Sequence, residues 1–109
     1  MSLSSHVLDA VSGSPARGVR IRWDQLVDGE WAPVGHGATD DDGRLGWPDR
    51  ATDVGTHRLV FVTGEWFRGE GRETFYPEVV VVFEVTDADA HHHVPLLLSP
   101  FAYSTYRGS

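Results

Sequence analysis

Turn signals cut this chain at short, regular intervals, and between them apolar and polar residues alternate instead of recurring at helical spacing. Alternation sends successive side chains to opposite faces of an extended strand, so each segment offers one face to a core. Residues 19–27 show the pattern well, with Val19, Ile21 and Trp23 on one face and Arg20, Arg22 and Asp24 on the other. Asp28-Gly29 then stands between two apolar runs, a strong hairpin signal, and residues 31–37 form the expected returning strand. Further strands are expected at 4–10, closed by Gly13, Ser14 and Pro15, and at 56–63, 79–85, 91–99 and 101–106, the last two divided by Pro100. A second Asp-Gly, at Asp42-Gly43, opens a loop expected to run through Arg44, Pro48 and Asp49. The run 79–85 is apolar at nearly every position, which suits a strand buried on both faces or laid against another subunit. Only residues 64–72 suit a helix, with Trp66 and Phe67 facing inward and glycines keeping it short. Short strands at this spacing with one short helix predict an all-β fold, an antiparallel two-sheet β-sandwich, as a single domain over residues 1–109.

The charge pattern removes whole classes of partner. A net charge of −7 with scattered basic residues argues against nucleic acid and anionic membranes, which both need clustered Lys and Arg. All nine basic residues are arginine, so lysine Schiff-base chemistry is excluded. Cysteine is absent, which removes thiolate nucleophiles, disulfides and cysteine metal sites together. No apolar run is long enough to span a membrane, and the start lacks the basic-then-apolar order of a secretory signal, so a cytoplasmic location is expected.

Six histidines remain as candidates for chemistry. His91, His92 and His93 open one strand, so His91 and His93 share a face and His92 takes the other. That tract can be a solvated strand entrance, a zinc chelate built on the i and i+2 pair, or the source of a general acid or base. His57 sits in an apolar strand and reads as a packed residue, and His36, between two glycines, reads as a turn residue. Asp40-Asp41-Asp42 lacks the alternate spacing and closing glutamate of a calcium loop, so it reads as a solvated turn. No Gly-x-Ser-x-Gly elbow and no phosphate-binding glycine loop is present.

Four segments, in order, carry a resemblance. Ser5-His6-Val7-Leu8-Asp9 with Gly13-Ser14-Pro15-Ala16, then Asp42-Gly43-Arg44, then residues 71–79, and finally His93 through Tyr106-Arg107-Gly108-Ser109 resemble the transthyretin-like family. The likeness covers about residues 4–109. The Tyr-Arg-Gly-Ser ending, taken with His6, Arg44 and His93, is similar to its 5-hydroxyisourate hydrolase branch. Where this chain has His92, that branch usually carries an aromatic residue.

The resemblance implies hydrolysis of 5-hydroxyisourate, a small-molecule substrate, by opening its six-membered ring at a lactam bond. It implies a homotetramer, a dimer of dimers, with active sites in the groove between dimers. Carried over by position, the catalytic set is His6, Arg44, His93 and Ser109, and His6, Arg44 and Tyr106 contact the substrate. No metal and no cofactor is expected, and a water activated by His6 or His93 would attack directly. The alternative is a transthyretin-like carrier that binds a small ligand in the same groove without catalysis.

Overall fold

A computed structural model describes residues 2–48 and 53–109. Among the described residues nine strands and one helix follow in chain order: β1 Ser2–Asp9, β2 Ser14–Pro15, β3 Arg20–Val27, β4 Glu30–Ala38, β5 Arg44–Trp47, β6 Gly55–Phe61, α1 Thr63–Gly69, β7 Val79–Val85, β8 His91–Ser99 and β9 Ala102–Thr105. They form two sheets. One runs β2-β1-β8-β9, with β5 also paired to β1, and the other runs β4-β3-β6-β7. The expected two-sheet sandwich with a single short helix is therefore present.

Alternation builds the core between the sheets. Leu3 and Val7 of β1 and Val94, Leu96 and Leu98 of β8 meet Ile21 and Trp23 of β3 and Leu59 and Phe61 of β6. Each large apolar side chain buried there contributes roughly 1.5–3 kcal/mol. Trp23 is wholly buried, and its indole N–H donates to His57 Nδ1 at 3.0 Å. His57 Nε2 in turn donates to the Asp53 carbonyl at 3.0 Å, so both ring nitrogens of this buried residue are satisfied by a neutral imidazole. Burial holds its pKa below the usual histidine value of 6.5. The packed role expected for His57 is the one it has.

Other expectations change. The pairing of β1 with β8 is parallel, Ser2 opposite His91 through Asp9 opposite Leu98, whereas every other strand pair is antiparallel. Alternation is the same for both senses, so only the assembled sheet reveals it. The loop expected after Asp42-Gly43 contains β5, held by pairing with β1, and its Asp49 end lies outside the described residues. His36 is not in a turn but mid-strand in β4, opposite Arg22. β7 is an edge strand with Val80 and Val82 exposed, so the reading of burial on both faces fails for the single chain. The helix stops at Gly69, short of residue 72, because the Gly71 and Arg72 amides fold back onto the Arg68 and Phe67 carbonyls. Phe67 is fully buried, and Trp66 packs partly buried against the core.

Candidate active site

The outer face of the five-stranded sheet is where the chemistry collects. On β1 the inward residues are Leu3, Ser5, Val7 and Asp9, which leaves Ser2, Ser4 and His6 outward. On β8 the inward residues are His92, Val94, Leu96 and Leu98, which leaves His91 and His93 outward. Register completes the cluster. His6 lies directly opposite Arg44 of β5, and Ser4 lies beside His93 of β8. His6, Arg44 and His93 thus come together from three adjacent strands on one face.

A tight turn delivers Arg44. Asp40 Oδ1 accepts from the Asp42 and Arg44 amides, each at 2.9 Å, and the Gly43 carbonyl accepts from the Val7 amide at 2.8 Å. Gly43 has φ +75°, and a Cβ there would lie 2.4 Å from the Val7 carbonyl oxygen, so no other residue fits without moving β1. The acidic run 40–42 is this turn, as expected, and Asp41 pairs with the exposed Arg17. Among the described residues no group of three or more His, Cys, Asp or Glu is placed to hold a metal ion.

The two site histidines are tethered through different nitrogens. His6 Nε2 donates to the Asp42 carbonyl at 2.8 Å, which leaves Nδ1 free among the described residues. His93 is held the other way, with Nδ1 2.7 Å from Ser4 Oγ and Nε2 free among the described residues. Burial lowers the His93 pKa below the usual 6.5, and the positive charge of Arg44 and the neighbouring His91 and His6 push it in the same direction. A neutral imidazole with a bare nitrogen near a guanidinium is equipped to take a proton while the cation steadies a developing oxyanion.

The tail returns to this site. Gly108 pairs with His93 as an isolated antiparallel bridge, its amide donating to the His93 carbonyl at 2.9 Å. A Cβ on Gly108 would lie 2.3 Å from His93 Cδ2, so only glycine lets the tail pass so close to the ring. Ser109 follows, exposed, and Tyr106 is 60% exposed. Tyr106 and Arg107 line a cavity of about 320 Å³ with Val81, Phe83, His92 and Thr105, and of the His6–Arg44–His93 cluster only His93 reaches it. Sequence reasoning did not single out Ser4 or Gly108 as partners of His93. The i, i+2 spacing of Ser4 and His6 was the available signal, and it needs the β1–β8 register to become meaningful.

An antiparallel-rich sandwich with histidine and arginine gathered on one outer sheet face defines a transthyretin-like protein. The chain belongs to the HIUase/Transthyretin family, whose sequence pattern matches residues 3–108. It is 45% identical over 109 residues to the 5-hydroxyisourate hydrolase of Salmonella typhimurium, covering 98% of this chain and 80% of that protein. It is 43% identical over 111 residues to the 5-hydroxyisourate hydrolase of Mus musculus, covering 98% and 94%. Among solved structures, Klebsiella pneumoniae 5-hydroxyisourate hydrolase superposes with a TM-score of 0.84 at 33% identity, over 99% of this chain and 93% of that one. Sea bream transthyretin in complex with thyroxine superposes with a TM-score of 0.91 at 32% identity, over 97% and 93%.

Proposed function

We propose that this chain hydrolyses 5-hydroxyisourate in urate catabolism, giving 2-oxo-4-hydroxy-4-carboxy-5-ureidoimidazoline. The observation that carries the reading is the convergence of His6, Arg44 and His93 on one sheet face. The sandwich alone serves a thyroxine-binding transthyretin equally well, and a carrier has no use for a neutral imidazole poised beside a guanidinium.

In this reading His93 Nε2 takes a proton from water as the oxygen adds to the lactam carbonyl. Arg44 donates to the oxygen that becomes negative, and one preorganised donor of this kind is worth roughly 3–4 kcal/mol. The tetrahedral adduct collapses, the ring C–N bond breaks, and the proton passes to the departing nitrogen, so one water is consumed and a carboxyl and an N–H are formed. His6, with Nε2 committed to the Asp42 carbonyl, presents Nδ1 to the substrate. Tyr106 lines the substrate groove, and Ser109 contributes its hydroxyl to proton handling. The active unit is a homotetramer in the cytoplasm, with the exposed Val80 and Val82 of edge strand β7 available to a neighbouring copy.

The scheme uses no metal, so exhaustive chelation with EDTA leaves the rate unchanged. The decisive experiment follows the absorbance of freshly generated 5-hydroxyisourate with the wild type and with His93→Asn. General-base catalysis contributes roughly 10²–10⁴-fold, so the variant falls by at least about 100-fold. A His93→Asn protein that opens the ring at the wild-type rate overturns the assignment of His93.

A further inference from the structure

Resting on the reading of His93 as the base, we propose that Ser4 and His91 are positioning residues that fix the tautomer of His93. Together with Ser2 they form one hydrogen-bonded row along the outer face. Ser2 Oγ lies 2.5 Å from His91 Nδ1, His91 Nε2 lies 2.9 Å from Ser4 Oγ, and Ser4 Oγ lies 2.7 Å from His93 Nδ1. The row alternates hydroxyl and imidazole because Ser2 and Ser4 on β1 stand beside His91 and His93 on β8 in parallel register.

Proton counting gives the row its meaning. Ser4 has one hydroxyl proton and sits between two imidazole nitrogens, so it donates to one and accepts from the other. When Ser4 donates to His91 Nε2, its oxygen receives the proton on His93 Nδ1, and His93 Nε2 is left bare. His91 Nδ1 then carries a proton and donates to Ser2, which turns its own hydroxyl to solvent. The opposite order puts the proton on His93 Nε2 and removes the lone pair a base needs. His91 therefore acts at one remove, by giving Ser4 somewhere to send its proton. The tautomer of an imidazole is set by the bond its other nitrogen makes, and a wrongly placed proton disables a catalytic histidine whose geometry is intact.

The ring is held on a second side as well. Gly108 packs against Cδ2 and Cγ of His93, opposite the Nδ1 edge that Ser4 holds. With both sides occupied, the Cε1–Nε2 edge is the one left to meet substrate.

Ser4→Ala, Ser4→Thr and His91→Phe test the proposal, with His93→Asn run beside them. Partners that orient histidine ligands at metal sites typically cost 10–100-fold when removed, and Ser4→Ala is expected to lower kcat by roughly that factor with KM unchanged. Ser4→Thr, which keeps the hydroxyl, restores kcat. The pH profile separates positioning from simple disruption. Burial first, then Arg44 from β5, His91 on the same strand and His6 from β1 hold the His93 pKa below 6.5, and the opposing contribution comes from the Ser4 backbone, which Ser4→Ala and Ser4→Thr both keep. Losing only the Ser4 hydroxyl thus leaves the acid limb of kcat below pH 6.5, whereas a loosened, solvated His93 would move it up toward 6.5. Nitrogen NMR of the ring is expected to show a protonated Nδ1 on His93 in the wild type and a protonated Nε2 in His91→Phe. The proposal falls if Ser4→Ala keeps wild-type kcat, if its acid limb moves upward, if threonine fails to restore activity, or if the His93 tautomer is the same in His91→Phe. An active His93→Asn overturns the base reading itself, while an inactive His93→Asn beside a fully active Ser4→Ala overturns only the positioning role.

Discussion

Gly108→Ala adds one methyl group at the point where the tail crosses the His93 ring. The new Cβ would lie 2.3 Å from His93 Cδ2, 3.0 Å from Cγ and 3.2 Å from Cβ. Carbon atoms in good contact sit about 3.5–4.0 Å apart, so ring and tail must separate by roughly 1 Å. Gly108 is not among the positive-φ glycines, so the cost is steric and not a matter of backbone strain. Two restraints compete to give way. His93 lies in a nine-residue strand paired on both sides and tied to Ser4, whereas the tail near Gly108 is joined by a single bridge. One such hydrogen bond contributes about 0.5–1.5 kcal/mol, so the tail yields, carrying Ser109 away from the histidine. Stability should drop by only about 1 kcal/mol, a few degrees in Tm for a domain of this size. Activity should drop far more, because a displacement of about 1 Å at a catalytic group can cost roughly 10²-fold. The assay pairs a melting curve with the decay of fresh 5-hydroxyisourate. Gly37→Ala is the control, since its Cβ would meet the movable Leu45 Cδ1 at 2.9 Å and Cδ2 at 3.1 Å instead of a held ring. A Gly108→Ala protein with wild-type kcat would refute the close-packing argument, as would an activity loss no larger than its loss of folded protein.

Three further outcomes are expected. Because burial first, and then Arg44, His91 and His6, lower the His93 pKa, the base stays neutral below the usual 6.5. The acid limb of kcat/KM in a pH series therefore falls below pH 6.5, and a limb above that value contradicts the electrostatics. His92 is buried with Nδ1 accepting or donating no hydrogen bond among the described residues, and an unsatisfied buried polar group costs about 1–3 kcal/mol. His92→Phe should raise the free energy of unfolding by roughly 1 kcal/mol, read as a higher urea midpoint, with its larger ring entering the neighbouring 320 Å³ cavity. A lowered midpoint would show that His92 is satisfied in solution. Ser109→Ala should cut kcat, and a Ser109→Ala protein with the wild-type rate removes Ser109 from the proposed set.

The sequence made visible those features that a strand carries within itself. Alternation marked β3, Pro100 marked the end of β8, Asp28-Gly29 marked the hairpin, where Asp28 has φ 52° and Gly29 φ 79°, and the apolar surroundings of His57 marked a packed imidazole. What depends on a partner strand stayed hidden. β5 is four residues with a glycine at Gly46, too short to show a period, and it exists because β1 offers it an edge. The exposed side of β7 escaped notice because four consecutive valines, Val79 to Val82, mask alternation. The site divides in the same way. His6, Arg44 and His93 were legible through the likeness of their motifs to a family. Ser4 and His91 became meaningful only once the parallel register set them in one row, since a serine beside a histidine in sequence predicts nothing.

That parallel pairing has a consequence for how the protein comes into being. Ser4 and His93 are 89 positions apart, so β1 leaves the ribosome long before the strand that must lie beside it exists. Closing so long a loop is slow compared with forming a hairpin, and the adjacent strands β3 and β4 can zip up while synthesis is still under way. The reactive face is then the last part of the sandwich to assemble. A nascent or clipped chain lacking β8 would leave β1 without its parallel partner, and Ser2 and Ser4 without His91 and His93 beside them.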